Sequence, residues 1–313
     1  MSISTQRKTA FVFSGQGSQQ VGMGQQFYAR DAQYRAILDE AENVAMQPLI
    51  SWMFNEASRL EKTEHVQPMI FAMQAGIIEC LRAAGVQADG ACGLSLGEFA
   101  ALYAQGVFSF EEGMRTLIHR GYFMAEAAAQ TPTGMVALLG QADRVETLLE
   151  AFPHCSVANY NLPTQTVVGG PIKDLQKLVE AAPSQGFKRA VLLPTAGAFH
   201  TRYMAEAAKQ FEHYLKPSQW SMPRPELYLN TTGTVYHGEE SLQALMVKQM
   251  VAPTHFHTMI TNMVQAGYTR FIEIGPGKVL VGMIKKLDRS LLVDSIENPE
   301  ELERAVERLR SEA

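Results

Sequence analysis

Cysteine is scarce in this chain of 313 residues: Cys80, Cys92 and Cys155 suit no metal-ligand spacing and cannot all pair. A disulfide scaffold and a cysteine-zinc module are therefore excluded. The three thiols read as small buried hydrophobes in a reducing, cytoplasmic setting. Long apolar runs are missing too. None approaches the roughly 18 residues of a membrane-spanning helix, so no membrane association is expected. Met1 to Lys8 is polar, with no apolar stretch or cleavage site, so no signal peptide is expected. Basic residues are not in excess: 27 Lys and Arg stand against 32 Asp and Glu, for a net charge of −5. A nucleic-acid partner is not expected from such a surface. Fixed-period repeats and low-complexity tracts are absent. What remains is 46% hydrophobic, long enough for one large core or two unequal domains. The sixteen methionines read as core filler.

The most informative feature is Gly93-Leu94-Ser95-Leu96-Gly97. G-x-S-x-G describes a serine on a sharp strand-to-helix turn with its hydroxyl exposed. Glycines two residues to either side let strand and helix approach without a Cβ clash. Small residues 89–93 lead in, and 96–107 read as a helix with Leu96, Phe99, Ala100 and Tyr103 on one face. Glu98 in its first turn suits the helix dipole. The plainer reading is a glycine-rich turn that happens to carry a serine.

Around that turn the chain alternates. A first strand at 10–14 ends in the polar loop Ser14-Gly15-Gln16-Gly17-Ser18-Gln19. Helices are expected at 32–45 and 68–84, the second with Pro68 in its first turn. The middle changes character. Strands at 135–139, 156–159, 166–168 and 190–193 alternate with helices at 144–152 and 172–182, and 161–164 read as a turn. That order, β-α-β-β-α-β, is the ferredoxin-like motif. It predicts a compact insertion at 130–196, with the active site at the seam between two subdomains. Later elements are a helix at 204–215, a strand at 227–230, a helix at 242–250 and a strand at 271–274. Helices at 279–287 and 299–310 complete the order.

A serine nucleophile needs a base. His200 stands in Gly197-Ala198-Phe199-His200-Thr201, after an expected strand and before an expected helix, where a loop can aim a side chain into a cleft. His119 and His154 have no such setting. His255 and His257 are two apart, like ligands on one strand face, but no third ligand is evident, and zinc takes three or four. No metal is expected. Hydrolases of this type run serine, acid, histidine along the chain. Among the acids between Ser95 and His200, Asp143, Glu146, Glu150, Asp174 and Glu180 fall on the inserted helices, poor places from which to orient an imidazole. A backbone carbonyl can orient it instead. Arg120, among apolar neighbours, is either paired structurally or kept for an anionic ligand. A guanidinium binds a carboxylate through two parallel hydrogen bonds. Gly15-Gln16-Gly17 and Gly275-Pro276-Gly277-Lys278 lack the spacings of nucleotide-binding loops.

Taken together, these segments make a chain that resembles the malonyl-CoA:acyl carrier protein transacylases over nearly its whole length. The likeness rests on Phe13-Ser14-Gly15-Gln16-Gly17-Ser18-Gln19, Gln67-Pro68, Gly93-Leu94-Ser95-Leu96-Gly97-Glu98 and Arg120-Gly121. It extends through Gly197-Ala198-Phe199-His200, Gln249 before Pro253, and Glu273-Ile274-Gly275-Pro276-Gly277-Lys278. The resemblance implies an α/β-hydrolase-like large subdomain, 1–129 and 197–313, with an inserted ferredoxin-like small subdomain, 130–196. It implies Ser95 as nucleophile and His200 as base, a Ser-His dyad oriented by the Gln249 backbone carbonyl. Backbone N–H groups of Gln16 and Leu96 would form the oxyanion hole. Arg120 would clamp the malonyl carboxylate, with Gln67 also at the substrate. Asn161 would lie near the pantetheine path, and Phe199 would favour malonyl over methylmalonyl. Lys188 and Arg189 would meet CoA phosphates or an acidic carrier protein at the mouth. The implied partners are malonyl-CoA and an acyl carrier protein, in fatty acid or polyketide synthesis, with no cofactor. Most such relatives have histidine where this chain has Leu94, a departure shared with stand-alone acyltransferases that serve polyketide synthases. The alternatives are an acyl hydrolase that edits carrier proteins and a non-catalytic carrier-binding scaffold. Arg120 and Phe199 together argue against the first, and retention of the whole site against the second.

Overall fold

The computed structural model describes residues 7–140 and 142–311. Residues 1–6, part of the polar segment read above as no leader, lie outside that description, with Gln141 and residues 312–313. Strand β1 (Lys8–Phe13) is buried from Thr9 onward, as an inner parallel strand covered on both faces must be. Helices α1 (Gln25–Arg30), α2 (Ala32–Ala45), α3 (Leu49–Asn55), α4 (Ala57–Leu60) and α5 (Thr63–Ala83) follow. Then come β2 (Gly90–Gly93), α6 (Gly97–Ala104) and α7 (Phe110–Gln130). The middle of the chain supplies β3 (Thr133–Leu139), α8 (Val145–Leu149), β4 (Ser156–Leu162), β5 (Gln165–Pro171), α9 (Ile172–Ala181) and β6 (Arg189–Leu193). The remainder is α10 (Ala205–Leu215), β7 (Glu226–Leu227), α11 (Leu242–Val251), α12 (Phe256–Gln265), β8 (Tyr268–Ile274), α13 (Val279–Leu287), β9 (Leu292–Ile296) and α14 (Pro299–Ser311).

Two sheets organise these elements. The first is parallel, in the order β7-β2-β1-β8-β9, and the second antiparallel, in the order β4-β5-β3-β6. The second sheet carries α8 and α9 in the expected β-α-β-β-α-β sequence and packs its own small core of Val136, Leu138, Leu148, Val168 and Leu175. The main core surrounds α5, which is buried without interruption from Val66 to Ile78. Each large apolar side chain there contributes about 1.5–3 kcal/mol. Because β1, β2 and β8 are parallel, their C-terminal ends share one edge. Phe13 pairs with Gly93 and with Ile274 there, so the loops after all three strands meet.

Several local expectations change. Pro68 lies in the second turn of α5, which begins at Thr63. Proline there forgoes one hydrogen bond, to the Glu64 carbonyl, and burial from Val66 onward outweighs it. The helix expected at 96–107 stops at Ala104, because Gly106 turns with a φ of 73°. Of 144–152 only Val145–Leu149 is α-helical; Pro153 disfavours helix in the residue before it. Asn161 and Leu162 belong to β4, so the turn expected at 161–164 is only Pro163-Thr164. The strand expected at 227–230 is Glu226–Leu227, and Asn230 is drawn off to the serine turn. His255 and His257 are not on a strand. His255 stands just before α12, with no side-chain cap to it, and His257 lies inside it.

Candidate active site

The serine turn is built from close approaches. Gly93 ends β2 and Gly97 opens α6. A Cβ on Gly93 would stand 2.1 Å from the Gly97 carbonyl carbon, and one on Gly97 would stand 2.2 Å from the Phe13 oxygen. Only glycine fits either position. Ser95 between them takes a left-handed conformation, φ 54°, a strained state that persists only where surroundings enforce it. Asn230 does so. Its Oδ1 accepts from the Ser95 backbone N–H at 2.9 Å, and its Nδ2 donates to the Gly93 carbonyl at 2.6 Å. Its own backbone N–H donates to Glu98 Oε1 at 2.9 Å. Nothing local to Asn230 in the sequence marks it for this task.

His200 also has a positive φ, 59°. Its Nδ1 stands 2.7 Å from the Gln249 carbonyl oxygen and its Nε2 2.7 Å from Ser95 Oγ. A carbonyl only accepts, so Nδ1 carries the proton and Nε2 is left to accept the serine proton. None of the acids between Ser95 and His200 bonds to the imidazole, among the described residues. Burial and then the Arg120 cation push its pKa down to about 4, against the opposing bond to Gln249. The imidazole is neutral at neutral pH.

Arg120 enters from the middle of α7, whose N-terminus is capped by Ser109. It is fully buried, with its guanidinium 5.3 Å from the Phe99 ring centre. Nη1 donates to Gln67 Oε1 at 2.7 Å; Nη2 donates to Gln249 Oε1 at 2.8 Å and to Ser95 Oγ at 3.3 Å. Nε has no partner among the described residues. Burial lowers the pKa to about 10, with Glu98 opposing, so the group stays cationic at neutral pH. Two neutral amides hold it while donor capacity is left over. Gln249 is the hub: its carbonyl takes His200, its Oε1 takes Arg120, and its Nε2 donates to the Ser95 carbonyl at 3.0 Å and to Glu98 Oε2 at 2.5 Å.

These groups face a cleft of about 880 Å³ between the two sheets. One wall is the Ser14–Gln19 loop with Leu94, Ser95, Leu96, Gln67, Arg120 and the start of α13; the other includes Met135, Ala137, Asn159, Asn161 and Val167 of the second sheet, then Leu193, Phe199 and His200. The backbone N–H groups of Gln16 and Leu96 have no hydrogen-bond partner among the described residues. Asn161 is buried at the cleft with its Oδ1 unpartnered. Leu94 puts an apolar side chain beside the serine loop. Lys188 and Arg189 are exposed and do not line the cleft. Arg189 begins β6 and Leu193, which does line it, ends that strand, some 13 Å away at about 3.3 Å per residue.

A model of the acyl transferase domain matches residues 10–306. The chain belongs to that family. This acyltransferase is 32% identical over 97% of its length to the malonyl CoA-acyl carrier protein transacylase of Bacillus subtilis, covering 98% of that protein. It is 33% identical to one from Staphylococcus aureus over 94% of this chain and 97% of that one. The crystal structure of the transacylase from Clostridium perfringens superposes with a TM-score of 0.92 at 33% identity, over 97% of this chain and 98% of that one. A malonyl-transacylase in complex with a type II polyketide synthase acyl carrier protein gives 0.92 at 26% identity, over 96% and 99%.

Proposed function

We propose that this acyltransferase moves malonyl from CoA to the phosphopantetheine thiol of an acyl carrier protein. The observation that carries this reading is a buried cation, Arg120, within 3.3 Å of a serine hydroxyl that also meets an imidazole at 2.7 Å. One site would thus hold the acyl group through its ester and read its free carboxylate. Ser95 Oγ attacks the thioester carbonyl as its proton passes to His200 Nε2. Backbone N–H groups of Gln16 and Leu96 face the developing oxyanion. The C–S bond breaks, the CoA sulfur takes the proton from Nε2, and malonyl remains on Oγ. The carrier thiol then gives its proton to Nε2 and attacks the ester carbonyl. The C–O bond breaks and Ser95 regains the proton. No electron leaves or enters, and the proposed reaction takes neither metal nor redox cofactor.

In this reading Ser95 and His200 form a dyad, with Gln249 in the orienting role that an acid holds in a triad. Gln67 holds the guanidinium, Phe199 limits the space beside the malonyl methylene, and Asn161 offers an acceptor to a pantetheine amide. Lys188 and Arg189 are kept for carrier contact outside the cleft. We divide the chain at 130 and 196, and place the reaction in the cytoplasm, where the three free, buried thiols stay reduced. The test is transfer itself. With malonyl-CoA and a phosphopantetheinylated carrier protein, mass spectrometry should find malonyl on the carrier thiol at the rate CoA is released. Free malonate in place of malonyl-carrier would contradict the reading and identify a hydrolase.

A further inference from the structure

Behind the reacting pair lies a carboxylate that acyl transfer does not use. Glu98 is fully buried in the first turn of α6. Its Oε1 accepts from the Asn230 backbone N–H at 2.9 Å and its Oε2 from Gln249 Nε2 at 2.5 Å. The same Gln249 amide accepts from Arg120 Nη2 through Oε1 at 2.8 Å. One amide therefore separates carboxylate from guanidinium. The nook offers one donor to each oxygen, and a protonated carboxyl keeps a lone pair on each oxygen with which to accept it.

The groups facing Glu98 are mostly neutral. Asn230 follows β7 and Gln249 comes from α11. Cys92 on β2 is a thiol whose pKa is pushed up by burial and by Glu98 itself. His200, which shares Gln249, is held neutral. Arg120 on α7 is the cation that acts on Glu98.

We propose that Glu98 is a positioning residue that sets acyl selectivity: it is the resident counter-charge of Arg120, and an acyl carboxylate entering the cleft competes with it for that guanidinium. This rests on reading Arg120 as the group that binds the acyl carboxylate. A malonyl group brings a second negative charge to one buried cation, and the site relieves it by taking a proton onto Glu98. An acetyl group brings no charge and no proton. Burial pushes the Glu98 carboxyl up to about 7, while its hydrogen bonds from Asn230 and Gln249 and the Arg120 cation pull the other way. Its proton occupancy therefore changes around neutral pH. The preference for malonyl should rise as pH falls through that range and decline as Glu98 ionises fully.

A charge within about 4–6 Å moves such an equilibrium by about one to three decades, and across the Gln249 amide and the guanidinium the low end of that range applies. The ratio of kcat/KM for malonyl-CoA to that for acetyl-CoA should therefore climb about tenfold from about pH 8.5 to about pH 6. The ratio cancels the serine and histidine steps common to both substrates. A merely structural Glu98 would leave it level. In Glu98→Gln the ratio should be flat, at or above the wild-type value at low pH. A flat wild-type ratio overturns the proposal, and that measurement needs no variant to fold. A Glu98→Gln slope equal to wild type overturns it as well. Arg120→Ala tests the reading beneath it. If the ratio at fixed pH is unmoved by that substitution, the carboxylate clamp itself fails. If it moves while the wild-type profile stays flat, only the role of Glu98 falls.

Discussion

Arg120→Ala removes the one cation that, among the described residues, faces the serine in the cleft. Malonyl differs from acetyl by a carboxylate, so discrimination needs a group that reads charge. Arg120 is fully buried, and its neighbours Gln67 and Gln249 are neutral amides that cannot replace it. A malonyl carboxylate in the emptied site would be desolvated without a partner, at a cost of about 3–5 kcal/mol. At 1.4 kcal/mol per decade, kcat/KM for malonyl-CoA should fall on the order of 10² to 10³-fold or more. Acetyl-CoA has no carboxylate to strand and should be used as well as before or better. Arg120→Lys should restore only part of the preference, because an ammonium lacks the two-pronged geometry. The assay is steady-state kinetics on both thioesters with a melting curve alongside. An unchanged malonyl-to-acetyl ratio with a lowered melting temperature would make Arg120 a structural residue and refute the reasoning.

His200→Ala should slow transfer of either acyl group about 10² to 10⁴-fold, the usual worth of a positioned base; a loss under about tenfold would point to another base. Because burial and Arg120 hold the His200 pKa near 4, the base is neutral above that pH and protonated below it. Acylation by acetyl-CoA should therefore stay level down to about pH 5, and a fall centred on the ordinary histidine value of about 6.5 would contradict the geometry. Asn230→Ala strands the Ser95 N–H and the Gly93 carbonyl, each worth about 1–3 kcal/mol when buried and unpaired. Melting temperature and both acyl activities should fall together. A variant with unchanged melting and only an altered substrate ratio would show that Asn230 does not hold the turn.

The legible parts of this chain were those whose signal is local. G-x-S-x-G announces a turn because Gly93 must clear the backbone of Gly97, four residues on, although Gly97 itself answers a distant contact, the Phe13 carbonyl of β1. The β-α-β-β-α-β order of the middle segment is a sequence of short periodic runs, and the second sheet pairs them accordingly. Pro68 and residues 161–164 misled because tertiary burial and strand pairing overrode local turn and helix signals. Asn230 and the full part of Glu98 were not legible at all. An asparagine in a loop and a glutamate in a first helical turn are ordinary in sequence. Their roles exist only because β2, β7 and α11 bring Ser95, Asn230 and Gln249 to one point. Arg120 stood between a structural and a ligand reading, and its two amide partners with an unpartnered Nε favour the second.

The most direct test of the acyl-serine mechanism is the intact mass of the protein after brief exposure to malonyl-CoA. Wild type should gain one malonyl group, mapped by peptide analysis to Ser95 and discharged on adding carrier thiol. Ser95→Ala, equally folded by its melting curve, should gain none. An adduct that persists on Ser95→Ala, or no adduct on wild type during turnover, would contradict the mechanism.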